Sequence, residues 1–111
     1  CVSAYPTNES DANLNCIDML KKKFHCKIGH SDHTNDILVP SLAVAKGAKI
    51  IEKHFKLNDR MNCVDSPVSI SEIKFKNMVK QIRKIENILG NEKFGIRKAE
   101  KSTSIYRRKT N

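Results

Sequence analysis

Two histidines are the first candidates for chemistry: His33, in Ser31-Asp32-His33-Thr34, and His54, in Glu52-Lys53-His54-Phe55. They lie 21 positions apart, too far for a local metal motif. Each, however, ends a predicted strand, and one helix with its loops fits between them. Neighbouring strands run about 4.8 Å apart. Imidazoles at the same level of two such strands can share one divalent metal at about 2.1 Å each. Strand alternation places Ile50, Glu52 and His54 on one face, and Ile51, Lys53 and Phe55 on the other. Taken singly, His33 reads as a cap of the following helix and His54 as a partly buried structural histidine. Their matching positions favour the metal. A rival set, Cys26, His30 and His33 with His25 adjacent, has C-x3-H-x2-H spacing. It lacks the second ligand pair of a structural zinc site, and one ligand falls inside a strand.

The elements that must position these residues follow one plan three times: an apolar strand, a polar loop, an amphipathic helix. Cys1–Tyr5 reads as the tail of a strand closed by Pro6. Leu14, Ile17, Leu20 and Phe24 then recur at helical spacing over Ala12–Phe24, with Lys21, Lys22 and Lys23 at the end that favours cations. The second unit has a strand at Cys26–Gly29 and a helix over Asn35–Ala48, firmest from Pro40, with Gly47 as its stop. The apolar run Leu42-Ala43-Val44-Ala45 predicts that this helix is buried nearly all round. The third unit has a strand at Lys49–Phe55 and a long loop from Lys56 to Val68. A Ser69/Glu72 capping box then opens a helix whose apolar face runs from Phe75 to Leu89, ending at Gly90.

Strand–helix alternation implies a parallel sheet covered on both faces. Three units supply only part of such a fold, whereas a closed (β/α)8 barrel takes about 250 residues. The expectation is therefore an α/β chain. Residues 1–90 would be the C-terminal portion of a TIM barrel, and residues 91–111 a basic linker or tail. By itself the chain should be marginally stable. The first residue is Cys1 rather than Met, which suggests a processed product or an internal fragment. In parallel α/β folds, functional groups gather at the C-terminal ends of strands. Ser3 and Tyr5, then Ser31, Asp32 and His33, then Glu52, His54 and Asp65 would all reach that rim. Glu52 reads equally well as a salt-bridged barrel residue.

Composition limits the alternatives. The 111 residues are 39% hydrophobic, enough for one domain with a modest core and too many for a wholly disordered chain. No apolar run approaches the roughly 18 residues of a membrane span, and the first residues, without a basic start or an apolar stretch, are not expected to act as a secretory signal. The net charge is +9, but residues 1–69 carry 9 basic and 8 acidic side chains, while residues 70–111 carry 12 and 4. The basic excess thus belongs to the C-terminal stretch, where Arg97, Lys98, Arg107, Arg108 and Lys109 could form a small nucleic-acid-binding module. Such stretches are more often solvated, and with 5% aromatic residues base-stacking platforms are scarce. Nucleic acid is not the expected partner. Cys1, Cys16, Cys26 and Cys63 form no CxxC and are expected to be reduced thiols of a cytoplasmic protein.

The segments Cys1-Val2-Ser3-Ala4-Tyr5-Pro6-Thr7, Ser31-Asp32-His33-Thr34, Val39-Pro40 with Gly47-Ala48, and Ile51-Glu52-Lys53-His54-Phe55 resemble the sialic acid synthase family in order and spacing. That family makes sialic, legionaminic and pseudaminic acids. The resemblance implies condensation of phosphoenolpyruvate with an N-acylated amino sugar, with release of phosphate. It implies His33 and His54 as ligands for manganese or magnesium, and Ser31 in phosphoenolpyruvate binding. Tyr5 and Asp65 fall where the family contacts the acceptor sugar, and Ser3 is a further candidate on the substrate side. Asp65 and Glu52 are the candidate catalytic carboxylates. The basic stretch resembles the family's linker to a small C-terminal domain of antifreeze-protein type. A homodimer is implied for the full-length enzyme.

Two departures bear on the sugar. Cys63-Val64-Asp65-Ser66 is closer to the Asp-Ser version of pseudaminate-type enzymes than to the Gly-Pro-Asp-His of N-acetylmannosamine users. Asn8 stands where Pro is common. The acceptor is thus left as N-acetylmannosamine or a 2,4-diacetamido sugar. Another phosphoenolpyruvate aldol-type synthase on a similar barrel is the nearest alternative enzyme.

Overall fold

A computed structural model describes residues 1–108; Lys109 of the basic set lies outside the described residues. The element order is α1 (Cys16–Phe24), β1 (Gly29–Asp32), α2 (Leu38–Ala45), β2 (Ile50–Lys53), β3 (Phe55–Lys56), β4 (Ile70–Ser71) and α3 (Glu72–Leu89). β1 pairs with β2 and β3 with β4, both in parallel, as the alternation requires. The register sets Gly29 against Ile50, Ser31 against Glu52 and Asp32 against Lys53. The strands pass close to each other at Gly29, where a Cβ would meet the Ile50 Cβ and carbonyl at 3.1 Å.

Several boundaries differ from those the sequence suggests. Residues 1–5 form no strand. Their polar atoms are engaged one by one: Thr7 donates from its hydroxyl to the Ala4 carbonyl at 2.8 Å and from its N–H to the His33 carbonyl at 2.9 Å. The first helix starts at Cys16 rather than Ala12, because Asn13 takes a positive φ of 44° and a short 3-10 turn occupies Glu9–Asp11. His25, in the left-handed region, ends it.

The second strand lies three residues further on than Cys26–Gly29, so Ser31 and Asp32 sit within it. α2 spans only Leu38–Ala45, with Pro40 in its first turn, where its missing N–H is not needed. Nor is it buried all round: Val39, Pro40, Ser41 and Ala43 are buried, whereas Leu38 and Leu42 are exposed. Gly47, at φ 102°, follows as expected. The third strand breaks at His54, where the chain stops pairing with β1 and begins pairing with β4. β4 takes Ile70 and Ser71 out of the predicted helix start, so the Ser69/Glu72 box is not made. Ser71 is the N-cap residue, and Ser69 donates instead to the Asp65 carbonyl at 2.7 Å. α3 ends at Gly90 as expected.

One core cluster joins Ile17, Ala43 and Ala48, with Leu14, Ile28 and Ile51 against it. Val68, Ile70 and Met78 are also buried. The chain is extended: its radius of gyration is 18.6 Å, against about 13 Å for a compact domain of this length. It exposes 8947 Å², against about 6,200 Å² for a compact monomer of its mass. Residues 91–108 are mostly exposed, with 3-10 turns at Lys98–Glu100 and Ser104–Tyr106 and with Phe94 and Tyr106 in solvent. Among the described residues no helix is long and apolar enough to cross a membrane.

Under the β1–β2 pair lies an ion pair, Lys53 Nζ to Asp32 Oδ2 at 2.7 Å, both side chains 1% exposed or less. Burial pushes the Asp32 carboxyl up, but the His30 imidazole 3.5 Å away and hydrogen bonds from Lys53 and Thr34 outweigh it, and the net shift is downward from the usual 3.8. A carboxyl lowered on folding stabilises fully above its unfolded value and stops doing so as pH falls through its folded value. Acid unfolding should therefore be delayed to below pH 3.8 for this group, and Asp32→Asn should flatten that part of a stability–pH curve. Met78, the buried residue of α3, should cost about 2–5 kcal/mol when truncated to Ala. Exposed Ile88→Ala should stay within about 0.5 kcal/mol, both read by urea denaturation.

Candidate active site at the strand ends

The register carries the site. Gly29 and Ser31 of β1 face the same side as Ile50 and Glu52 of β2, and His30 and Asp32 share the helix side with Ile51 and Lys53. His33 and His54 are the next residue of each strand line. Their rings meet with centroids 5.4 Å apart at 60°. Tyr5 stacks on His33 at 4.1 Å and meets His54 edge-on at 5.7 Å, so three rings from three segments form one cluster.

Backbone bonds hold each histidine from outside the β1–β2 ladder. The His33 carbonyl accepts from Thr7 N–H, and the His54 carbonyl accepts from Ile70 N–H, both at 2.9 Å. His33 is 4% exposed, and its Nδ1 lies 2.8 Å from the Val2 carbonyl. A carbonyl can only accept, so Nδ1 carries a proton, and in the neutral imidazole Nε2 keeps its lone pair. His33 is therefore not a helix cap. The His54 Nδ1 lies 3.6 Å from Asp65 Oδ2, an ion-pair distance rather than a hydrogen bond. Asp65, half exposed, arrives from the loop after β3.

Ser31 donates to Glu52 Oε1 at 2.6 Å, so the carboxylate is engaged by a hydroxyl on the neighbouring strand rather than by a salt bridge. Ser3 stands apart from this cluster; its hydroxyl lies 3.9 Å from the Cys1 sulfur. The rival zinc set is not assembled. His30 turns to the helix side, its buried Nε2 3.5 Å from Asp32 Oδ1 and without a hydrogen-bond partner, while Cys26 is exposed. All four cysteines are free thiols.

Two imidazoles, one with its outer nitrogen free, suit a borderline divalent ion in donor type. Their ring separation is compatible with a shared ion at about 2.1 Å from each nitrogen. Among the described residues no third His, Cys, Asp or Glu joins them in a closed set. Such an ion would keep positions for water or substrate. Spacing could not reveal the Val2 carbonyl as the partner that fixes the His33 tautomer, because a backbone acceptor carries no residue signature. Lys53 and Thr34 were likewise invisible as site neighbours, since both point away from the rim.

Parallel βα units with polar side chains gathered at the strand ends define an α/β protein with an enzyme-type rim. The comparisons sharpen that class. Residues 1–94 match the model of the NeuB family, and the chain belongs to that family. An uncharacterized protein of Methanocaldococcus jannaschii is 48% identical over 90 residues, covering 81% of this chain and 27% of that protein. A pseudaminic acid synthase of Campylobacter jejuni is 41% identical over 108 residues, covering 97% of this chain and 32% of that enzyme. Among solved structures, an N-acetylneuraminic acid (sialic acid) synthetase from Leptospira borgpetersenii, in complex with citrate, superposes with a TM-score of 0.87 at 40% identity. That match covers 96% of this chain and 37% of the synthetase. The α/β fold is thus that of sialic acid synthetases, and the chain spans between a quarter and two fifths of the length of these relatives.

The bond to Val2 gives a spectroscopic expectation. Histidine-selective nitrogen-15 spectra should show the neutral form of His33 as the Nδ1–H tautomer. An Nε2–H pattern there would contradict the hydrogen bond.

Proposed function

We propose that this chain supplies the histidine side of a phosphoenolpyruvate-dependent nonulosonic acid synthase. Residues 1–90 would be part of a TIM (β/α)8 barrel, and 91–111 its basic linker. The observation that carries the reading is the convergence of His33 and His54, from adjacent parallel strand ends, with ring centroids 5.4 Å apart. The family to which the chain belongs supports the reaction class.

In this reading His33 and His54 hold a manganese or magnesium ion, which when bound supplies Lewis acidity toward the aldehyde oxygen of the open-chain sugar. The Val2 carbonyl and Asp65 orient the two rings, keeping their outer nitrogens directed at the rim. Ser31, at the same rim, donates to the carboxylate or phosphate of phosphoenolpyruvate once its bond to Glu52 is exchanged. C3 of phosphoenolpyruvate attacks the aldehyde carbon, forming the C–C bond. The aldehyde oxygen takes up a proton as positive charge develops at C2; water adds there and gives up a proton, and the C2–O bond breaks, so that phosphate leaves with the bridging oxygen and C2 becomes a ketone. Asp65 orients the sugar hydroxyls or stabilises that charge. Glu52 accepts a proton or holds Ser31 in place. Tyr5 presents its exposed ring to the sugar. The acceptor is an N-acylated amino sugar, N-acetylmannosamine or a 2,4-diacetamido sugar. The enzyme acts in the cytoplasm as a homodimer, without nucleic acid or membrane.

Phosphate release by the intact protein, given phosphoenolpyruvate and each sugar in turn, tests this. Activity should vanish on treatment with a chelator and return with manganese. His33→Ala or His54→Ala should weaken manganese binding at least about tenfold. Turnover insensitive to the chelator would reject the metal role.

A further inference from the structure

The two histidines project from short strands, and the β1–β2 ladder stops one residue before each of them, at the Asp32–Lys53 pair. The Thr7 N–H holds the His33 carbonyl, and the chain beyond it is held by a second set of bonds. The next carbonyl along, that of Thr34, accepts from the Lys53 ammonium, which also donates to Asp32 Oδ2 at 2.7 Å. Thr34 Oγ1 in turn donates to both Asp32 oxygens, at 2.8 and 3.1 Å. The Lys53 and Asp32 side chains and Thr34 are all 2% exposed or less. The knot therefore grips the residues on both sides of His33, and its lysine is the residue before His54.

We propose that Lys53 is a positioning residue for the histidine pair, acting through Asp32 and Thr34. The inference rests on the reading that His33 and His54 form the reactive site. Stability alone does not account for the arrangement, because a buried ion pair replaced by apolar side chains of similar volume is often neutral or stabilising. What apolar packing does not supply is direction. An ammonium with fixed acceptors on Asp32 and on the Thr34 backbone sets the angle at which the chain leaves β1, and hence where the His33 ring points relative to His54. Thr7 and Val2 hold His33 from the side of residues 1–7, and packing alone would leave the chain on either side of it without a directed anchor in β1–β2.

The test uses the intact protein with histidine-selective labelling. Lys53→Met alone leaves a buried, unpaired carboxylate and is expected to unfold the site, so the informative variant is the double Asp32→Leu/Lys53→Met. It should keep the far-UV dichroism and cooperative melting of the wild type. It should lose the nuclear Overhauser contacts between the His33 and His54 rings and bind manganese about tenfold or more weakly. Thr34→Val, which removes only the hydroxyl, should give a smaller change in the same direction. A folded double variant with unchanged ring contacts overturns the proposal. If the double variant does not fold, unchanged ring contacts in Thr34→Val overturn it. A wild type that shows the ring contacts but binds no manganese would remove the metal reading, and the positioning role is then judged on the ring contacts alone.

Discussion

The parallel register between β1 and β2 is the constraint on which the rest depends. It sets Ser31 against Glu52 and Asp32 against Lys53, and so divides the chemistry between two faces. On the rim side, a hydroxyl meets a carboxylate and two imidazoles converge. On the helix side, a lysine and an aspartate neutralise each other out of water. A slip of one residue would exchange the two faces, bringing the ion pair to the surface and pressing the Ser31–Glu52 pair against the helices. Gly29 keeps the strands close in this register, since a Cβ there would press on the Ile50 Cβ and carbonyl at 3.1 Å.

The site is built from segments with few ladder bonds of their own. Each strand has two to four residues, and residues 1–5 have no ladder at all. Order at the rim comes instead from single, well-directed bonds: Thr7 to the His33 carbonyl, Ile70 to the His54 carbonyl, His33 to the Val2 carbonyl. The aromatic cluster of Tyr5, His33 and His54 adds contact area where these segments meet. Apolar surface is distributed unevenly around this framework. Ile50 and Phe55 are exposed on the strands, and Phe24, Leu38 and Leu42 on the helices. Apolar side chains so exposed, on several elements, fit a chain that spans a minor share of its relatives' length.

Much of this was legible in the sequence. The α/β class, the parallel pairing, the long third helix with its stop at Gly90, and the stop after α2 at Gly47 follow from periodicity and turn chemistry. The boundaries were less legible, for identifiable reasons. Asn13 in a left-handed conformation delays α1, and Ser31-Asp32 reads as a polar loop because its partners, Glu52 and Lys53, are 21 residues away. Ser69 followed by Glu72 is a sound helix start locally, yet pairing of Ile70-Ser71 with Phe55-Lys56 moves the start to Glu72. The gathering of Tyr5, His33, His54 and Asp65 was legible as a set of rim residues, while Ser3 shares their segment without sharing their contacts.

By itself, the sequence determined which side chains alternate on which face and which segments are helical, because those properties repeat every two or 3.6 residues and need only local information. Tertiary structure alone decided the tautomer of His33, the buried partner of Lys53 and the separation of the two rings. Each depends on an atom contributed by a distant segment, often a backbone carbonyl, and no local pattern encodes where such an atom will lie.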